Sequence, residues 1–135
     1  MPKPPTVADL TWKQGLVFEA TSASQSMIVD GDSREGPSPV QALAFALAGC
    51  MSADLAAILT KGRQPFRAIR AHLVADRSQE NPHRFLRIKL DFIVEGDVAA
   101  DAVARAIALS HEKYCSVWHS MRQDIEFTTA YDIRP

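Results

Sequence analysis

Apolar and polar residues alternate in three parts of this chain, and between them lies one stretch where apolar residues hardly stop. Ile69, Ala71, Leu73 and Ala75 alternate with Arg70, His72 and Asp76. Leu86, Ile88, Leu90, Phe92 and Val94 alternate with Arg87, Lys89 and Asp91, and "QENPHR" between the two runs is a hairpin turn. Near the end, Ile125, Phe127, Thr129, Tyr131 and Ile133 alternate with Glu126, Thr128 and Asp132. A period of two predicts strands that bury one face each, and so an antiparallel sheet with helices on one side. The first third predicts a meander. Val7 to Trp12 and Gly15 to Thr21 are β-rich and separated by "KQG", and a shorter strand near Met27 to Val29 ends at "DGD". The loop "DGDSREGPSP" follows, carrying Arg34 and Glu35.

The nearly all-apolar stretch is "ALAFALAGCMSADLAAIL", Ala42 to Leu59. Ser38 is a good N-cap, Pro39 suits the first helical position, Gln41 completes a capping box, and Lys61 and Gly62 mark the end. The predicted helix is about 23 residues, or roughly 35 Å long. Leu43, Phe45, Leu47, Met51, Leu55, Ile58 and Leu59 point in most directions around its axis, so it must be covered all round. One short chain offers too little cover, and a homodimer is expected. A membrane span is not, because the longest uninterrupted apolar run, Ala42 to Met51, falls well short of about 20 residues.

Asp97 is expected to cap a second helix, with Ala102, Val103, Ala106, Ile107 and Ser110 at helical spacing. "HEKYCSVWHSM" then reads as a break and a short helix. The order βββ–α–ββ–αα–β describes an α+β protein, expected as one domain over 1–135.

Composition narrows the function classes. With 135 residues, 23% charged and a net charge of −1, the chain gives no reason to expect a nucleic-acid or membrane-surface partner. "MPKPPTVADL" has no apolar segment of the secretory kind, and two cysteines 65 positions apart suit a reducing cytoplasm better than a permanent disulfide. Glycine-rich nucleotide loops, G-x-S-x-G elbows and CxxC pairs are absent from the sequence. Trp12 and Trp118 lie in no basic, aromatic-interleaved patch and read as core or interface residues.

The candidate chemistry rests on the cysteines. Cys50 lies about three turns inside the long helix, beyond the reach of its dipole, and Asp54 one turn on would raise the thiol pKa. An active Cys50 therefore needs a cation brought by tertiary structure, for which Lys13 and Arg34 are candidates; the other reading is a small core hydrophobe. Cys115, before Ser116 and near Lys113, falls at a helix boundary where N–H groups favour a thiolate; a packed junction residue is the alternative. His111, Cys115 and His119 would share one face of an unbroken helix, but a break at Cys115 is expected, and neither metal nor cofactor is assigned.

Two segments carry a resemblance. "GPSPVQALAFALAGCMSADLAAIL" resembles the central helix of the OsmC/Ohr family, the osmotically induced and organic hydroperoxide resistance proteins. "VEGDVAADAVARAIALSHEKYCSVWHSM" resembles the second helix and second cysteine of its OsmC-like branch, and "DIEFTTAYDI" its final strand. The resemblance implies two chains wrapped around each other, with central helices packed between sheets and two sites at the dimer interface. It also implies a thiol peroxidase in which Cys50 attacks an organic hydroperoxide, Cys115 resolves the sulfenic acid, and an external dithiol reduces the disulfide. Gln41, Phe45, Met51 and Trp118 are the expected pocket residues. Active members place a glutamate just after the proline, paired with an arginine; this chain has Val40 and Gln41 there, and Lys13 in the first hairpin. Retention of both cysteines points to the peroxidase. Loss of the Glu–Arg pair points to the alternative, a non-catalytic dimer that binds a small apolar ligand.

Overall fold

A computed structural model describes residues 2–135. Among the described residues are two three-stranded sheets, three α-helices and one π-helical turn. The chain forms two compact units, one running to Leu43 and the other Ala44–Pro135.

The first unit is the expected meander, β1 (Asp9–Gln14), β2 (Val17–Ser22) and β3 (Gln25–Asp30), antiparallel throughout. β1 runs two residues further than its β-rich core suggests, because the chain turns only at Gly15, whose φ of +51° favours glycine. β3 reaches Asp30 because that residue anchors the loop beyond it. The Asp30 carboxylate accepts N–H bonds from Asp32 at 2.8 Å, Arg34 at 3.2 Å and Glu35 at 3.0 Å. The Glu35 and Asp32 N–H groups hold its pKa below the ordinary carboxylate value.

Helix α1 spans Pro39–Lys61, as its caps predict. The capping box is reciprocal: the Gln41 N–H donates to Ser38 Oγ at 3.1 Å, and the Ser38 N–H donates to Gln41 Oε1 at 2.9 Å. Leu47, Met51, Leu55 and Leu59, spaced by four, are at most 1% exposed. With Ile88, Leu90, Phe92 and Val94, and with Val103 and Ala106, they make the core of the second unit. The rest of the helix circumference is only partly covered, and Phe45 is 65% exposed. By length and composition α1 is apolar enough to cross a membrane, a property shared by helices buried in protein cores.

β4 (Phe66–Arg77) and β5 (Phe85–Gly96) form the predicted antiparallel hairpin, with Leu73 opposite Leu90. β6 (Glu126–Arg134) pairs with β5 in parallel, so the sheet is mixed rather than wholly antiparallel. The reason is the helical crossover between them, which returns the chain to the end where β5 began. Helix α2 (Ala100–Leu109) starts later than predicted. Asp97 does not cap it; Ala99 stands at the N-cap, with no side-chain cap bond. The backbone first turns at Gly96, and the Ala99 N–H donates instead to Gln64 Oε1 at 2.9 Å. A π-turn, Ser110–Tyr114, and the short helix α3, Ser116–His119, complete the crossover.

Candidate thiol site

Cys50 and Cys115 are both free thiols, and the second unit brings them together. Cys50 is half-buried in the middle of α1, while Cys115 is fully buried at the N-cap of α3. They lie near enough for the Cys50 thiol to raise the pKa of Cys115.

The expected break at Cys115 is present, with φ −72° and ψ 99°. Its sulfur accepts the Trp118 N–H at 3.3 Å, in the manner of an N-cap side chain. The expected thiolate does not follow. Burial pushes the Cys115 thiol up to about 11, outweighing the Trp118 N–H, and Cys50 adds to the rise. At neutral pH Cys115 is a protonated thiol.

Around it, the Trp118 ring packs at a tilt against Phe127, centroids 4.6 Å apart, and against His111 at 5.7 Å. The break turns His119 away from any shared face, so that its Nε2 bonds the His111 carbonyl oxygen at 3.0 Å. Among the described residues no metal-binding cluster forms.

The sequence reading missed a polar link. Ser110 is fully buried and donates its hydroxyl to Asp54 Oδ2 at 2.8 Å, and its carbonyl oxygen accepts the Cys115 N–H at 2.8 Å. Asp54 follows Cys50 by one turn, so its partner was the missing information; no local signal marks the π-turn that supplies it. Beyond Asp54 opens a cleft of about 680 Å³ lined by Ile58, Lys61, Arg105, Leu109 and Tyr114, among others.

The other candidates have surroundings of their own. Met51 and Trp118 are buried, at 1% and 4% exposure, and Phe45 is exposed. Lys13 lies in the first unit, 3.8 Å from Glu19. Arg34 belongs to the loop anchored on Asp30. Gln41 is occupied by the cap and by the Ser33 hydroxyl, which donates to its Oε1 at 2.5 Å.

Fold and site together define an α+β protein with two free thiols, one on a long apolar helix and one at the mouth of a short helix. The chain matches the family model described as OsmC-like protein over residues 30–130, and it belongs to the OsmC/Ohr family. It is 40% identical over 129 residues to protein YhfA of Escherichia coli K12, covering 93% of this chain and 96% of that one. An OsmC-like protein from Mycoplasma pneumoniae shares the fold with a TM-score of 0.86 at 12% identity, over 99% of this chain and 100% of that chain. An organic hydroperoxide resistance protein OsmC from Legionella pneumophila shares it at 0.72 and 12% identity, over 98% and 99%.

Proposed function

We propose that the protein is a thiol-dependent peroxidase of organic hydroperoxides. The observation that carries this reading is the meeting of two free thiols with unlike environments, a half-buried Cys50 and a fully buried Cys115. Cys50 is the sulfur that peroxide can reach. As a thiolate it attacks the O–O bond, releasing an alcohol and leaving a sulfenic acid. Cys115 then displaces water to form the disulfide, which an external dithiol reduces. Apolar residues near the pair suit an apolar hydroperoxide, and limited water access protects the sulfenate from over-oxidation. The likeness to the Legionella hydroperoxide resistance protein supports the class of substrate.

The working protein is a cytoplasmic homodimer, 1–135 forming one OsmC-like domain. The exposed side of α1, with Leu43 at 39% and Phe45 at 65% exposure, is the surface a second copy covers. Lys13 and Arg34 are the residues to replace in seeking the cation that favours the Cys50 thiolate.

Steady-state consumption of cumene hydroperoxide with a dithiol reductant tests the reading. Cys50→Ser abolishes turnover, whereas Cys115→Ser without reductant consumes one peroxide per site and stalls as a sulfenic acid. If wild-type Cys50 yields no sulfenate and both thiols remain alkylatable after peroxide, the peroxidase reading fails. One observation favours a second reading, a non-catalytic dimer that binds a small apolar ligand: position 41 carries no carboxylate, and Gln41 is tied into the helix cap.

A further inference from the structure

The two thiols are joined by a second route, through groups that the peroxide chemistry leaves unused. Asp54 sits one turn after Cys50, which places both on the same side of α1. Ser110 bridges from Asp54 to Cys115, its hydroxyl bonding Asp54 and its carbonyl oxygen bonding the Cys115 N–H. That second bond spans five residues rather than four and is what makes Ser110–Tyr114 a π-turn. An ordinary α-turn would give the Ser110 carbonyl to the Tyr114 N–H and rotate Cys115 by one residue, about 100° around the axis. The widened turn therefore decides which way Cys115 faces. Its anchor is a serine hydroxyl with 0% exposure, held by a carboxylate on the helix that carries Cys50.

We propose that Asp54 and Ser110 are a positioning pair that sets Cys115 against Cys50 and so governs closure of the Cys50–Cys115 disulfide, rather than attack on peroxide. The proposal deepens the thiol-pair reading above and rests on it. The step concerned is Cys50–SOH plus Cys115–SH giving Cys50–S–S–Cys115 plus water, with the organic hydroperoxide as the oxidant that made the sulfenic acid and left as the alcohol. Neither Asp54 nor Ser110 exchanges atoms with substrate. Loss of the bond frees the π-turn to relax, which lowers the effective concentration of one sulfur at the other.

The test uses the full chain and the variants Ser110→Ala, Asp54→Ala and Asp54→Asn, the last keeping an oxygen to accept the Ser110 hydroxyl. Each is equilibrated with reduced and oxidised dithiothreitol, and the Cys50–Cys115 disulfide is measured by alkylation and mass spectrometry. Ser110→Ala and Asp54→Ala are expected to shift the equilibrium about tenfold toward the dithiol, the loss expected for one hydrogen bond to a charged group. Asp54→Asn restores most of it, and Ser110→Ala with Asp54→Ala is no worse than either alone. A merely structural role would lower stability without this pattern of rescue and non-additivity. In a second arm, cumene hydroperoxide with dimedone traps a Cys50 sulfenate that accumulates in Ser110→Ala and not in wild type. Wild-type disulfide levels in Ser110→Ala and Asp54→Ala overturn the positioning pair, as does a wild-type protein that forms no Cys50–Cys115 disulfide. A persistent redox shift with no sulfenate in any variant leaves the pair standing and removes the peroxidase. Normal sulfenate formation with an unshifted equilibrium does the reverse.

Discussion

The raised ionisation of Cys115 makes alkaline pH the sharpest probe of the thiol site. A thiol with an ordinary value near 9 is pushed to about 11 in the folded protein, chiefly by burial. The folded state therefore holds this proton more tightly than the unfolded state does. Its contribution to stability is complete below about pH 9 and falls as pH rises toward about 11, with a slope near 1.4 kcal/mol per pH unit. Over two units the loss is about 3 kcal/mol. Denaturant unfolding of reduced protein from pH 7 to 11, at one fixed protein concentration, measures it. Cys115→Ala is the control, because the rest of the chain is the same in both proteins. The variant is expected to lose about 1–2 kcal/mol at neutral pH through the removed buried sulfur, and then to fall less steeply above pH 9. Alkylation by iodoacetamide gives a second readout, since the Cys115 thiolate fraction at pH 7 is about one in ten thousand and rises tenfold per unit. Parallel pH–stability curves for the two proteins would refute the assignment of a buried, protonated Cys115.

Other substitutions test the supporting structure. Ser38→Ala removes one half of the α1 capping box and should cost about 0.5–2 kcal/mol in denaturant unfolding, with no direct effect on thiol chemistry. Gln41→Glu keeps an oxygen for the Ser38 N–H, so a gain in peroxidase rate would identify position 41 as a site for the missing carboxylate, and an unchanged rate would confine it to the cap. Gly96→Ala should cost at least about 1–3 kcal/mol, because φ is +136° and a Cβ would stand 2.5 Å from the Pro65 carbonyl oxygen. Phe45→Asp should shift sedimentation from dimer to monomer, and an unaltered dimer would remove the exposed side of α1 from the interface.

The fold was legible wherever a local rule acts alone. The limits of α1 follow from Ser38, Pro39 and Lys61, because caps act within one turn. The β4–β5 hairpin follows from alternation and a polar turn. The parallel pairing of β6 was not legible, since alternation on one strand is the same whichever way its neighbour runs. Asp97 was an attractive cap by type, but the backbone turns first at Gly96, and the open N–H finds Gln64 from 35 residues earlier. A partner so distant leaves no local trace.

The thiol site divides in the same way. That Cys115 heads a helix could be read from the sequence, and the position alone argued for a thiolate. The structure adds complete burial, and the sign reverses: desolvation of a charged sulfur outweighs one backbone N–H, so the residue at the helix mouth stays protonated. Burial is a property of what packs on top, and it can overrule an electrostatic rule that is sound for an open helix end. Asp54 shows the converse. By sequence it is only a carboxylate near Cys50, unfavourable to a thiolate; in the fold its charge is spent on the Ser110 hydroxyl, whose own backbone carries Cys115. One buried serine thus turns an apparent liability of the α1 sequence into the link between its two sulfurs. On the peroxidase reading, the geometry of the site and its nucleophile can then be altered separately.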